Sequence, residues 1–144
     1  MKFKSTIAVF MLLMLLALGT AQGASWMDGY AMTVVEETTM ERSRRGLGAL
    51  RVDAELMRAA RVRAGEIVQK FSHTRPDGTR WKTVSSAAYA ENIARGQKTA
   101  DKAVAAWMTS EGHRRNILRE GYRTTGVACV KSGNVYYWVQ LFGK

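Results

Sequence analysis

Leu56, Ala60, Ala64, Ile67 and Phe71 recur at three- and four-residue intervals, so the stretch after Asp53 predicts a helix with one buried stripe. Asp53 is a good N-cap for it, with Glu55 in the first turn. Upstream, residues 30–45 are rich in polar, helix-compatible types, and Gly46 and Gly48 are placed to end a first helix. Downstream, Pro76, Asp77 and Gly78 suit the last three positions of a tight turn, which sets His73 on a chain reversal. Residues 84–94 predict a short helix presenting Glu91. Thr99 caps another helix with Val104, Trp107 and Met108 on its apolar face, and Ser110 caps a further turn that carries His113.

The pattern then changes. Gly126–Val130 and Val135–Phe142 are rich in β-formers and are separated by Lys131, Ser132, Gly133 and Asn134, which predicts a hairpin. Both strands are almost continuously apolar instead of alternating, so both faces of their sheet must be covered, and only helices remain to cover them. An α/β/α sandwich follows. Aromatic residues in a strand usually fill core, which is the better account of Tyr136, Tyr137 and Trp138. Gln140 interrupts the second apolar strand, and because a buried amide must find partners it is expected to support a polar cleft from beneath.

The N-terminus has the plan of an export signal: Lys2 and Lys4, an uncharged apolar run from Ile7 to Leu18, then small residues around Ala21–Ala24. The run is shorter than the roughly 20 apolar residues of a comfortable membrane span, so no stable span is expected after processing. Removal of residues 1–23 from the 144 would leave 121, enough for one compact core, with a short segment at 24–33 and a single domain over 34–144. The removed piece holds two lysines and no acid, so the formal charge falls from +10 to +8.

A basic exported protein is drawn to anionic partners such as envelope polymers or lipid headgroups. No nucleic-acid signature accompanies the arginines between Arg42 and Arg63, which read as a solvated helical surface, and no nucleic acid is expected. Cys129, the one cysteine, lies in an apolar run and reads as a buried, inert thiol.

The chain has two histidines, and each sits in a polar cluster: Ser72, His73, Thr74 and Ser110, Glu111, Gly112, His113. A third cluster, Ala90, Glu91, Asn92, adds a carboxylate. Imidazoles share metal ions or move protons near neutral pH, and carboxylates join as ligands or orient a ligating histidine. Each residue also has an ordinary explanation: His73 closing a turn, Glu91 on a helix surface, Glu111 favouring a helix N-terminus, His113 bonding the backbone. Glu111 and His113 are one residue apart and diverge on a regular helix, so a nonhelical or terminal geometry is needed for both to face one cleft.

At these residues the chain resembles the CAP superfamily, named for cysteine-rich secretory proteins, antigen 5 and plant pathogenesis-related class 1 proteins, and especially its compact bacterial members. The resemblance runs from about residue 34 to the C-terminus. It rests on Ser72 and His73 with the Arg75–Gly78 turn, on Ala90–Ala94, on Trp107 with Ser110–Arg114 and Asn116–Leu118, and on Gly126, Val127 with Tyr137–Gln140. It implies an α+β, three-layer α/β/α sandwich with a small, mainly antiparallel sheet.

It also implies a cleft lined by His73, Glu91, Glu111 and His113, with a divalent metal, zinc foremost, on His73 and His113 and not needed for folding. Asn92 and Gln140 would support that cleft. Secretion, into a periplasm, an envelope or the medium, is implied too. Thr39 stands where many relatives have asparagine, and Ala90 where glycine commonly precedes the Glu-Asn pair. The cysteine-rich extension of animal members is absent from this sequence, so functions tied to it do not transfer.

Beside a purely structural adhesion domain that uses its basic face, two functions follow as expectations. One is an exported binding module whose metal-capable cleft takes a small or extended ligand, an envelope component or a lipid. The other is a metal-dependent hydrolase of peptide or cell-wall glycan, with Glu91 and Glu111 as acid/base candidates.

Overall fold

The computed structural model describes residues 24–144, and the export signal read at 1–23 lies outside them. The segment 24–33 supplies strand β1 (Ala24–Trp26) and the start of helix α1 (Asp28–Ser43). Strand β2 (Arg51–Val52) leads into helix α2 (Ala54–Gln69), where the Asp53 carboxylate accepts the Leu56 amide at 2.9 Å, as the sequence predicts. Leu56, Ala60, Ala64 and Ile67 are fully buried, while Phe71 falls beyond the helix and is exposed. A 3-10 turn at Trp81–Val84 precedes strand β3 (Ala90–Arg95), helix α3 (Ala100–Thr109) and helix α4 (Glu111–Ile117). Strands β4 (Thr124–Ser132) and β5 (Val135–Gly143) form the expected hairpin.

The sheet runs β1-β4-β5-β3, antiparallel throughout, with β2 added parallel to β4. α2 covers one face through Leu56, Ala64 and Ile67 against Ala128, Val139 and Leu141. α1, α3 and α4 cover the other, burying Val34, Val104, Trp107 and Ile117 against Val127, Trp138 and Phe142. This is the three-layer α/β/α sandwich. Cys129 lies inside it, and burial pushes its thiol up to about 12, so it is an unreactive core group.

Two expectations are corrected. Glu91 sits on strand β3 and not on a helix: all of Ala90–Arg95 pairs with β5, from Ala90 opposite Phe142 to Arg95 opposite Tyr137, and that pairing overrides the helix preference of alanine and glutamate. The outer edge of β3 is closed by side chains, with Trp107 Nε1 donating to the Ile93 carbonyl at 3.1 Å.

The arginines between Arg42 and Arg63 are not all solvated, since Arg42 and Arg63 are both buried. The Arg42 guanidinium donates to the carbonyls of Gly48, Ile117, Arg119 and Tyr122, so four of its five N–H groups are hydrogen-bonded and it ties α1 to the end of α4 and the segment after it.

Candidate functional site

The site is built outward from Arg63. Its Nε and one terminal nitrogen donate to the two oxygens of Glu91, at 2.7 and 3.1 Å, and both side chains are wholly buried. The other terminal nitrogen donates to Glu66 at 2.6 Å, and the nitrogen shared with Glu91 also reaches the Ser72 carbonyl at 2.8 Å. A planar guanidinium suits this work, because its fork meets a carboxylate with two parallel bonds.

His73 follows from that anchor. The loop after α2 folds back on itself: the Gly78 amide donates to the Arg75 carbonyl, and the Trp81 amide donates to the His73 carbonyl, both at 2.9 Å. Gly78 takes φ +85°, a left-handed conformation in which a side chain would be strained. Arg75 donates to Glu66 through two nitrogens, at 2.9 and 2.7 Å, which fastens the loop to α2. Held there, His73 places Nδ1 2.8 Å from Glu91 Oε1. A carboxylate only accepts, so Nδ1 carries the hydrogen, and in the neutral ring Nε2 keeps a free lone pair. The His73 side chain is half exposed above the buried Glu91, so one edge of its ring is fixed and the rest is open to the cleft.

Burial alone would raise the Glu66 carboxyl, but hydrogen bonds from Arg75 and Arg63 outweigh it and hold Glu66 below its ordinary value of 4.5. Stability from such a group is present above the unfolded value and is lost as pH falls through the folded one. The Glu66→Gln variant is therefore expected to be less stable than wild type in urea melts at about pH 7, with the gap narrowing at about pH 3. An equal gap at both pH values would show that the Glu66 charge does not brace the loop.

His113 comes from α4. Asn92 holds that helix to β3, its amide donating to the His113 carbonyl at 3.1 Å and its Oδ1 accepting from Asn116 at 2.9 Å. Burial, and secondarily the charge of His73, lower the His113 pKa and favour the neutral imidazole.

Glu111 does not join them. Its side chain is 77% exposed and accepts from Arg115 at 2.6 Å on the surface of α4. α4 is regular from its first residue, so positions 111 and 113 diverge and the terminal distortion that would have aimed both at one cleft is not there. Gln140 turns away as well. It lies on the α1 face and donates to Thr38 at 3.1 Å and to Thr125 at 3.4 Å, fastening α1 to the sheet with no bond to the cleft.

A cavity of about 520 Å³ opens in front of His73 and Glu91, walled by Arg80, Trp81, Asn116 and Arg119 among others; neither Glu111 nor His113 is part of the wall. Among the described residues, no group of three His, Cys, Asp or Glu side chains is placed to hold a metal. The donor types are ones that zinc and similar ions accept: His73 and His113 would be the ligands, and Glu91, hydrogen-bonded to His73, would be the carboxylate often found behind a ligating histidine.

Residues 35–142 match the cysteine-rich secretory protein family, CAP. The chain belongs to that family. A curated relative is the uncharacterized protein YkwD of Bacillus subtilis, 38% identical over 131 residues; the match takes in 85% of this chain, which spans about half the length of that relative.

The CAP domain also superposes on an outer surface protein of Borrelia burgdorferi, with TM-score 0.70 and 20% identity over 85% of this chain and 98% of that one. A structure of NaASP2 with Zn2+ gives TM-score 0.62 and 18% identity over 85% and 82% of the two chains. At these identities the two structures speak for the fold. Among the described residues no helix is long and apolar enough to cross a membrane.

Sequence reasoning did not assign to this CAP cleft the Arg80, Trp81 and Arg119 of its wall, nor Arg63, Glu66 and Arg75, which brace it from behind. Arg63 is the one of these whose place the pattern could have shown. It lies three residues after Ala60 and four before Ile67, on the stripe that the helical period marks as buried. A charge at such a position needs a partner inside the fold.

Proposed function

We propose that this CAP protein is an exported binding module whose cleft holds a divalent cation through His73 and His113 and receives a ligand from the cell envelope. The observation that carries the reading is the hydrogen bond from His73 to Glu91, itself locked by Arg63: it favours the Nδ1–H tautomer, which leaves Nε2 of the neutral ring free for a metal. His113 adds a second imidazole that burial keeps neutral, the form that binds a metal. His73 and His113 would hold the cation, which would supply a positive centre for a ligand oxygen. The Zn2+ in the NaASP2 structure supports the metal, and the signal-like N-terminus supports export.

Zinc calorimetry on the full chain tests this. One equivalent is expected to bind to wild type and to be lost in both His73→Ala and His113→Ala, with thermal unfolding little changed in either. Binding that survives both substitutions would dismiss the metal claim.

The same hydrogen bond would also orient His73 as a general base, which is the observation in favour of a hydrolase. Other groups favour binding instead. Both Glu91 oxygens are engaged by Arg63 and His73, Glu111 faces solvent, and Ser72 Oγ accepts from the Thr74 amide at 3.0 Å. Turnover of peptidoglycan, casein or chromogenic glycosides above that of a Glu91→Ala, Glu111→Ala double variant would make the cleft an active site.

A further inference from the structure

We infer that the ligand of this cleft is an acidic glycan, a short run of pyranose rings bearing carboxylates; this rests on the cleft being an export-side binding site. Charge carries the first step. Arg80 and Arg119 stand in the cavity wall, and the ammonium groups of Lys82 and Lys144 lie 5.4 and 4.5 Å from the centre of the Tyr89 ring, which is also wall. None of these four cations makes an ion pair among the described residues. The one acid in the wall, Glu91, is already neutralised by buried Arg63. The wall of the cleft therefore carries two guanidinium groups without an acidic partner, Arg80 and Arg119, and calls for an anion.

Geometry narrows the anion. The Arg119 guanidinium lies 5.5 Å from the centre of the Tyr122 ring, and stacking of this kind orders the fork without using its N–H groups, which then suit the two oxygens of a carboxylate. The rest of the wall decides against a fatty acyl chain, because no leucine, isoleucine, valine or methionine lines it. Thr74, Asn116 and His73 instead offer hydroxyl, amide and imidazole groups to a ligand rich in hydroxyls, and the partly exposed Trp81 adds aromatic surface of the kind that sugar rings stack on. The volume, about 520 Å³, lies within the roughly 300–1,000 Å³ of small-molecule sites and suits a few sugar units of a longer polymer.

The test is calorimetry on the full chain at about 0.15 M ionic strength, where unspecific attraction of polyanions is largely screened. Five probes are compared: tetragalacturonate, a muramic-acid-containing tetrasaccharide from peptidoglycan, neutral chitotetraose, sodium laurate and an oligothymidylate. At least one acidic saccharide is expected to bind more tightly than the other three probes, and which of the two does so separates a uronate polymer from the wall glycan as the source. Arg80→Gln and Arg119→Gln, both at exposed positions, are each expected to weaken that binding about tenfold.

Failure of both acidic saccharides to bind, chitotetraose binding as tightly as they do, preference for laurate or oligothymidylate, or indifference to both arginine substitutions would each overturn the inference. Zinc titrations of the same arginine variants are expected to match wild type. Zinc binding without glycan binding would sink the glycan alone, and glycan binding without zinc binding would sink the metal alone.

Discussion

Arg63→Met is expected to cost about 3–5 kcal/mol of folding stability, because removing one partner of a buried ion pair strands the other charge. Here two carboxylates lose their partner: Glu91, whose side chain has no exposure at all, and Glu66, which retains only Arg75. The Ser72 carbonyl loses its donor as well, so the His73 loop should loosen with the core. Against a typical total of about 5–15 kcal/mol, such a loss is visible as a large shift of the urea midpoint. Adding Glu91→Gln to Arg63→Met removes the stranded charge and is expected to recover part of the stability. A single variant within about 1 kcal/mol of wild type would mean that the pair is not buried as described.

Gly126→Ala is the second large effect, expected to cost about 3 kcal/mol or more, at the upper end of overpacking penalties. A Cβ at position 126 would overlap the Leu56 carbonyl and the Met57 amide nitrogen of α2. These are backbone atoms that cannot rotate away, so the whole helix would have to rise from β4. That movement would also draw Arg63 from Glu91, so the variant should lose zinc binding together with stability. Urea melts and zinc titration on the same preparation check both halves. A variant with wild-type stability would show that α2 does not pack directly on Gly126.

The helix of Leu56–Ile67 and the β4–β5 hairpin were legible because their burial is written locally, in a 3.6-residue period and in two unbroken apolar runs. Strand β3 was not. Ala90, Glu91, Asn92 and Ala94 have little intrinsic β-preference, and their extended form comes from β5, a partner nearly fifty residues away in the chain. The burial of Arg42 was hidden for the same reason, since three of its four carbonyl acceptors lie 75 to 80 residues downstream.

At the cleft, the scarcity of histidine pointed to His73 and His113, and of the two His73 lines the cavity. Glu111 fell away because helical geometry, already a difficulty at one-residue spacing, prevailed. What the chain pattern could not show was that Glu91 serves His73 by being locked to an arginine, an arrangement that exists only once α2, the loop and β3 meet.

That lock is the centre of the account, and the nitrogen-15 shifts of the His73 ring read it directly. With Glu91 accepting from Nδ1, the spectrum at about pH 7.5, about a unit above the ordinary imidazole value, is expected to show the Nδ1–H tautomer with Nε2 unprotonated, and Glu91→Gln is expected to shift the tautomer balance. A wild-type His73 found as the Nε2–H tautomer, unchanged by Glu91→Gln, would contradict the proposed cleft.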